Sequence, residues 1–384
     1  MNYIFAILCL KEYLRRIFGS HYPIEIVELI MMIHYRRPKI SWSYQNCFAI
    51  VDDQCYVWGE NINGELGLGH YEKINQLTKL LLPNIRKIKC VTRGTFALTN
   101  SGDIYGWGCL NRYTFGLENR GNLPHKLGFD KIKQIKSYDS HYSCLLIKND
   151  RIFILNDTIV EHILPSINKI SCGVNHIIAL TNDKSIYGMG LNDWGQLGLA
   201  LDPCYHNLFE KISLRNVLAV KCGQYYTIAL TLDGLYGWGD NRSGQLGLGD
   251  VVCRYTPTKL NFQLQRGEPI AISRGRHHTM ILLKQDQVYV FGNTRILIPQ
   301  KLNLNFNIRQ ISCCFNKTLM IGTDNRVYLW DLDKISKINV SDVIGIDSYY
   351  DGVAFVTKAG QVYVYGNTRL GNERDSLIKL ELPY

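Results

Sequence analysis

Twelve cysteines, ten histidines and a recurring glycine-rich stretch are the parts of this chain that could carry chemistry. Zinc ribbons and dithiol redox sites need cysteines with two residues between them, and no C-x-x-C occurs. Four cysteines, Cys90, Cys172, Cys222 and Cys313, instead return at one position of a repeat. A thiol that comes back once per repeat reads as a small buried hydrophobe. Only the vicinal pair Cys313-Cys314 breaks that pattern. Gly64 to Gly69 could cradle phosphate, but it lacks the Lys-Ser/Thr of a P-loop and follows a repeated strand in several units. His141, His176 and His278 also share a repeat position, so they read as a feature of the fold. H-E-x-x-H and G-x-S-x-G are absent. The expectation is no catalytic, cofactor-binding or metal-binding residue, no cofactor and no enzyme activity. The most cationic short stretch is Arg274 to His278, which makes Arg274, Arg276 and His277 the candidate partner-binding residues.

Charge narrows the partner. The formal net charge is +10, from 43 Lys and Arg against 33 Asp and Glu, with no run of five like charges. That bias favours an acidic partner: nucleic acid, an anionic membrane or an acidic protein surface. Direct nucleic-acid binding has no further support in the sequence. The apolar run Tyr3 to Leu10 is too short to span a bilayer and has no basic stretch before it. The expectation is a monomer of the cytoplasm or nucleus, without membrane attachment and with reduced thiols. The sequons at Asn156, Asn241, Asn316 and Asn339 are then accidental.

Positioning these residues is the task of a repeat. One eleven-residue segment aligns eight times without gaps, with an aliphatic start and a small-apolar and aliphatic pair at its end. The copies begin at Ile40, Ile88, Ile135, Ile170, Val220, Ile272, Ile311 and Ile346. A polar turn follows each, then an aromatic-centred strand such as Tyr56-Val-Trp58-Gly59, Tyr105-Gly-Trp107-Gly108 or Tyr236-Gly-Trp238-Gly239. β-Branched and aromatic residues, punctuated by turn residues, predict strands. Each unit offers about four, the first of the type ending at Pro83 or Pro165 and the last the Tyr-x-Trp-Gly strand. Four strands every 35 to 52 residues is the period of a propeller blade. Trp58, Trp107 and Trp238 are expected to fill the gaps between blades. The chain's end, Leu377 to Pro383, reads as a first strand with nothing after it, and Ile40 to Ile50 lacks one before it. Pairing the two would close a ring of eight blades.

Three stretches follow the aromatic strand: Asn61-Ile-Asn-Gly64-Glu-Leu-Gly-Leu-Gly69, Asn192-Asp-Trp-Gly195-Gln-Leu-Gly-Leu-Ala200 and Asn241-Arg-Ser-Gly244-Gln-Leu-Gly-Leu-Gly249. With Gly173-Val-Asn-His176-Ile-Ile-Ala-Leu180, they resemble the repeat of the regulator of chromosome condensation family over residues 40–384. The resemblance implies an all-β, closed propeller of four-stranded blades, seven being the family norm. The third unit has Leu155-Asn156-Asp157 in place of Trp-Gly, and the sixth and seventh lose the glycine-rich stretch. Residues 1–38 are expected to be a helical cap on the propeller domain of 39–384. Pro23 opens a helix there, and Ile26, Val27, Leu29, Ile30 and Ile33 form its stripe. Tyr22 to Ile30 also faintly resembles the opening of an F-box. The function expected is a non-catalytic protein-interaction scaffold. The resemblance also implies two alternatives: guanine nucleotide exchange on a Ran-like small GTPase, and an F-box-like substrate adaptor of a ubiquitin ligase.

Overall fold

The computed structural model describes residues 39–42, 46–51, 54–82, 84–91, 94–110, 121–137, 144–155, 159–200, 204–262, 269–275, 277–283, 287–313, 317–331, 334–349, 352–366 and 377–380. The expected helical cap and the F-box-like helix at 1–38 lie outside these residues. Among the described residues there is no helix. Thirty-two strands form eight four-stranded antiparallel sheets, each an uninterrupted meander. These are eight blades, spanning 39–80, 85–126, 134–163, 167–211, 217–259, 269–301, 308–338 and 343–380.

Blade membership differs from the sequence expectation by one strand. The Tyr-x-Trp-Gly strand is third in its sheet, and the strand after it, such as Ile74–Leu80, is the fourth of the same sheet. The chain's last strand, Leu377–Leu380, therefore pairs with Val362–Gly366 in blade 8, not with the Ile40 strand. Every blade is contiguous in sequence, so no strand exchange closes the ring.

Packing closes it. Eight apolar clusters each draw on two neighbouring blades, and the eighth joins Val356, Val362 and Leu380 of blade 8 to Cys47, Val51 and Trp58 of blade 1. First strands lie against one another from blade 4 through blade 8 and on to blades 1, 2 and 3. They therefore line the axis. The Trp position fills the junction with the preceding blade as expected: Trp58, Trp107 and Trp238 are buried, and Met189, Phe291 and Trp330 stand in at equivalent register. A blade presents two apolar faces and is stable only between neighbours.

Blade 3 carries a second correction. Its first strand pairs Ile135 with Leu146, whereas blade 2 pairs Ile88 with Ala97. The gapless alignment thus fails by two residues in this copy, and Leu146-Ile147 is its terminal apolar pair. A turn can absorb two residues without inverting a strand, because side chains alternate with a period of two. His141 lies outside the described residues.

Candidate functional site

The glycine-rich stretches come first, because they hold the repeat's most specific residues. In blade 1, the Asn61 side chain accepts from the Leu66 amide at 2.9 Å and the Glu65 carboxylate from the Asn63 amide at 2.8 Å. Blades 4 and 5 repeat this, with Asn192 accepting from Leu197, Asn241 from Leu246, Gln196 from Trp194 and Gln245 from Ser243. The folded loop then offers one carbonyl to the next blade. Glu65 O accepts from Trp107 Nε1 at 2.6 Å and Thr95 Oγ1 at 2.9 Å. Gln196 O accepts from Trp238 Nε1 at 3.0 Å and Thr227 Oγ1 at 2.9 Å. Gln245 O accepts from Thr279 Oγ1 at 2.9 Å. Gly67 shows why glycine is needed there: φ is +75°, and a Cβ would meet Trp107 Nε1 at 2.9 Å. The stretch is structural, as the sequence suggested, and its role is that of an inter-blade clamp.

The repeated histidines also work at blade junctions, at 4/5 beside a clamp and at 6/7. His176 Nε2 meets Thr227 Oγ1 at 3.1 Å, and His278 Nε2 meets Thr318 Oγ1 at 2.7 Å. Burial pushes His278 down to about 4, with the neighbouring His277 adding to the shift, so its ring is neutral. Of the candidate partner-binding residues, His277 is half-buried and its Nδ1 lies 3.1 Å from Ser243 Oγ of blade 5. Arg274 ends the first strand of blade 6, and Arg276 lies outside the described residues. The trio is not shown to form one surface, and its one described side chain serves the blade 5/6 junction.

What the clamps display is the pair of variable residues inside Asn-x-x-Gly: Ile62 and Asn63, Asp193 and Trp194, Arg242 and Ser243. The Arg242 guanidinium stacks on the Trp194 ring at 3.6 Å from its centroid and is held by Asp240 at 2.8 Å. Nearby Val251 and Val252 are exposed. Sequence reasoning missed this pair, although both residues occupy the variable positions of the motif.

The other surface lies on the axis. A cavity of about 480 Å³ opens between the first strands of blades 8, 1, 2 and 3. Lys39, Arg86, Lys87, Lys89 and Lys133 line it, and Asp347 is its one carboxylate. Ile40, Phe48, Ile88 and Ile346 give it an apolar wall. Lys39 Nζ donates to Arg86 O at 3.0 Å, and the Arg86 guanidinium donates to Lys133 O. Burial, then the charges of Lys89, Lys136 and Arg86, push Lys87 down to about 8, and only Asp347 acts the other way. Most of the cations stand at the amino ends of the first strands, so the cavity opens on the face of the blade-to-blade connections. The clamps occupy the opposite face. Among the described residues no group of three or more His, Cys, Asp or Glu is placed to hold a metal, and no helix is long and apolar enough to cross a membrane.

Residues 233–282 match the model of the regulator of chromosome condensation repeat, and residues 167–196 and 217–245 match a second model of that description. Among similar proteins is the ultraviolet-B receptor of Arabidopsis thaliana, 27% identical over 281 residues, 71% of this chain and 57% of the receptor. The regulator of chromosome condensation of Mus musculus is 22% identical over 334 residues, 71% of this chain and 79% of that protein. A probable E3 ubiquitin-protein ligase of Homo sapiens is 30% identical over 275 residues, covering 61% of this chain but 25% of the ligase. The chain thus spans little over half of the plant receptor and a quarter of the ligase. Prp20p of Saccharomyces cerevisiae, crystallised in work on its binding to Gsp1p and histones, shares the fold with a TM-score of 0.61 and 18% identity. That match covers 77% of this chain and 89% of Prp20p.

Proposed function

We propose that this eight-bladed propeller, which belongs with the proteins built from regulator of chromosome condensation repeats, is a non-catalytic protein-interaction scaffold of the cytoplasm or nucleus. The observation that carries this reading is the Trp194–Arg242 stack, set on the clamped loop face with Val251 and Val252 beside it. Trp and Arg are the side chains that most often dominate binding energy at protein interfaces, and both are preorganised here. The motif's constant residues are spent on packing, whereas the first variable residue of each pair, Ile62, Asp193 and Arg242, is exposed. An acidic surface on the partner suits the net charge of +10. Exchange on a Ran-like GTPase is the competing reading, supported by the likeness to Prp20p.

The test pairs capture with exchange. Wild-type protein should retain a partner from native lysate that a Trp194→Ala/Arg242→Ala variant of unchanged melting temperature does not. Release of labelled GDP from Ran should not be accelerated. Acceleration beyond about tenfold at micromolar protein would replace the scaffold with an exchange factor. Equal capture by both proteins would remove the loop face from the account.

A further inference from the structure

We infer that the axial cavity between blades 8, 1, 2 and 3 is a binding site for a small soluble anion carrying two or more phosphate groups. The cations there are placed rather than spread. Immediately before the aliphatic start of the first strand, blades 1 and 2 of the cavity carry Lys39 and Lys87, blade 3 carries Gln134 with Lys133 before it, and blade 4, outside the cavity, carries Lys169. Blades 5 to 8 carry Ala219, Ala271, Gln310 and Gly345 at that register. Five cations against one carboxylate leave the cavity lining with a formal charge of +4. The hydrogen bonds that hold Lys39 and Arg86 go to backbone carbonyls, which fix the side chains without neutralising them. Lys87 sits half-buried in the field of Lys89, Lys136 and Arg86.

A fold does not gain by gathering like charges in a partly desolvated space. A bound polyanion reverses the sign of that cost. Ammonium and guanidinium groups recognise phosphate oxygens through short, charge-assisted hydrogen bonds. The volume is in the range of small-molecule sites. It exceeds what one inorganic phosphate fills, and the wall of Ile40, Phe48, Ile88 and Ile346 can take the carbon skeleton of an organic phosphate. Nucleic acid would need a groove that tracks a backbone, whereas these cations line a single cavity.

Titration calorimetry on the full chain tests this at physiological salt, with inositol hexakisphosphate and inorganic pyrophosphate as probes. Saturable one-to-one binding is expected, with inorganic phosphate much weaker. Lys87→Gln and Lys89→Gln should each weaken the hexakisphosphate by about tenfold. Lys87→Arg should keep most of the affinity, and Lys211→Gln, on the outer strand of blade 4, should leave it unchanged. Without ligand, Lys87→Gln should melt higher than wild type, because an uncompensated charge has gone. If Lys87→Gln does not fold, Lys89→Gln and Lys87→Arg carry the comparison. No saturable binding, or equal weakening by Lys211→Gln, overturns the site. Binding of a DNA duplex or of phosphoinositide vesicles without binding of the free hexakisphosphate also overturns it. The site stands apart from the loop face, so its failure leaves the scaffold reading untouched.

Discussion

Blades 4 to 6 and the arc formed by blades 8, 1, 2 and 3 are built on one plan but hold themselves together differently. At the 4/5 and 5/6 junctions, clamp carbonyls at Gln196 and Gln245, the His176–Thr227 contact and the bond from Tyr226 OH to His278 O supplement the apolar cluster. His278 to Thr318 continues the series into blade 7. In the other arc the 1/2 junction keeps the full clamp, the loops after the third strands of blades 2 and 8, residues 111–120 and 367–376, lie outside the described residues, and the histidine position holds Asn46, Gly94 and Gly352. At the 2/3 and 8/1 junctions the described residues form apolar clusters. The lysine-lined cavity lies in that second arc. The family models match residues of the first arc alone.

The largest test of this contrast is a large-to-small substitution at one register in both arcs. Trp238→Ala removes a wholly buried ring together with its bond to Gln196 O, and should cost about 3–5 kcal/mol. Leu155→Ala, at the same register of blade 3, should cost less, since it removes fewer atoms and no hydrogen bond. Urea midpoints at constant m-value decide between them. An equal or greater loss at Leu155 would show that the bond to the clamp carbonyl adds nothing at this register.

Acid should act on the clamped arc through His278. Its folded value of about 4 lies below the ordinary 6.5, so the unfolded chain binds the extra proton between those values. Stability is therefore complete above pH 6.5 and falls as pH drops toward 4, by up to about 3 kcal/mol. His278→Gln should flatten that part of a melting-temperature profile, and an unchanged slope would assign the acid sensitivity elsewhere.

Glycines separate clamp from connection more finely. Gly198 has φ +73°, and a Cβ there would meet Trp238 Nε1 at 3.0 Å, so Gly198→Ala should cost about 1–3 kcal/mol. Gly128, after the outer strand of blade 2, has open space around it, and Gly128→Ala should stay within about 0.5 kcal/mol. Thermal melts of the two variants side by side are sufficient. The smallest effect belongs to the displayed pair: Arg242→Ala should change stability by no more than about 1 kcal/mol, because an exposed cation–π contact is worth little to folding. A larger loss would make Arg242 part of the clamp.

The repeat, the strand character, the number of units and the junction role of Trp58, Trp107 and Trp238 were legible in the residues, because each rests on local pattern. An aliphatic start, an alternating run and a glycine that must adopt positive φ announce themselves within a dozen positions. The sheet to which the strand after Tyr-x-Trp-Gly belongs was not legible. Its hydrogen bonds decide that, and a strand before the next unit looks the same whether it pairs backward or forward. The two-residue offset in blade 3 escaped for a related reason: Cys144-Leu145 and Leu146-Ile147 are both acceptable apolar pairs, and only register distinguishes them. Candidate contact residues were sought where charge is dense along the chain, at Arg274 to His278. The cations that gather in space come from Lys39, Arg86, Lys87, Lys89 and Lys133, on three different blades. Sequence determines what each blade is made of through short-range sterics and hydrophobic pattern. Closure of the ring alone brings residues dozens of positions apart to one axis, where their charges add.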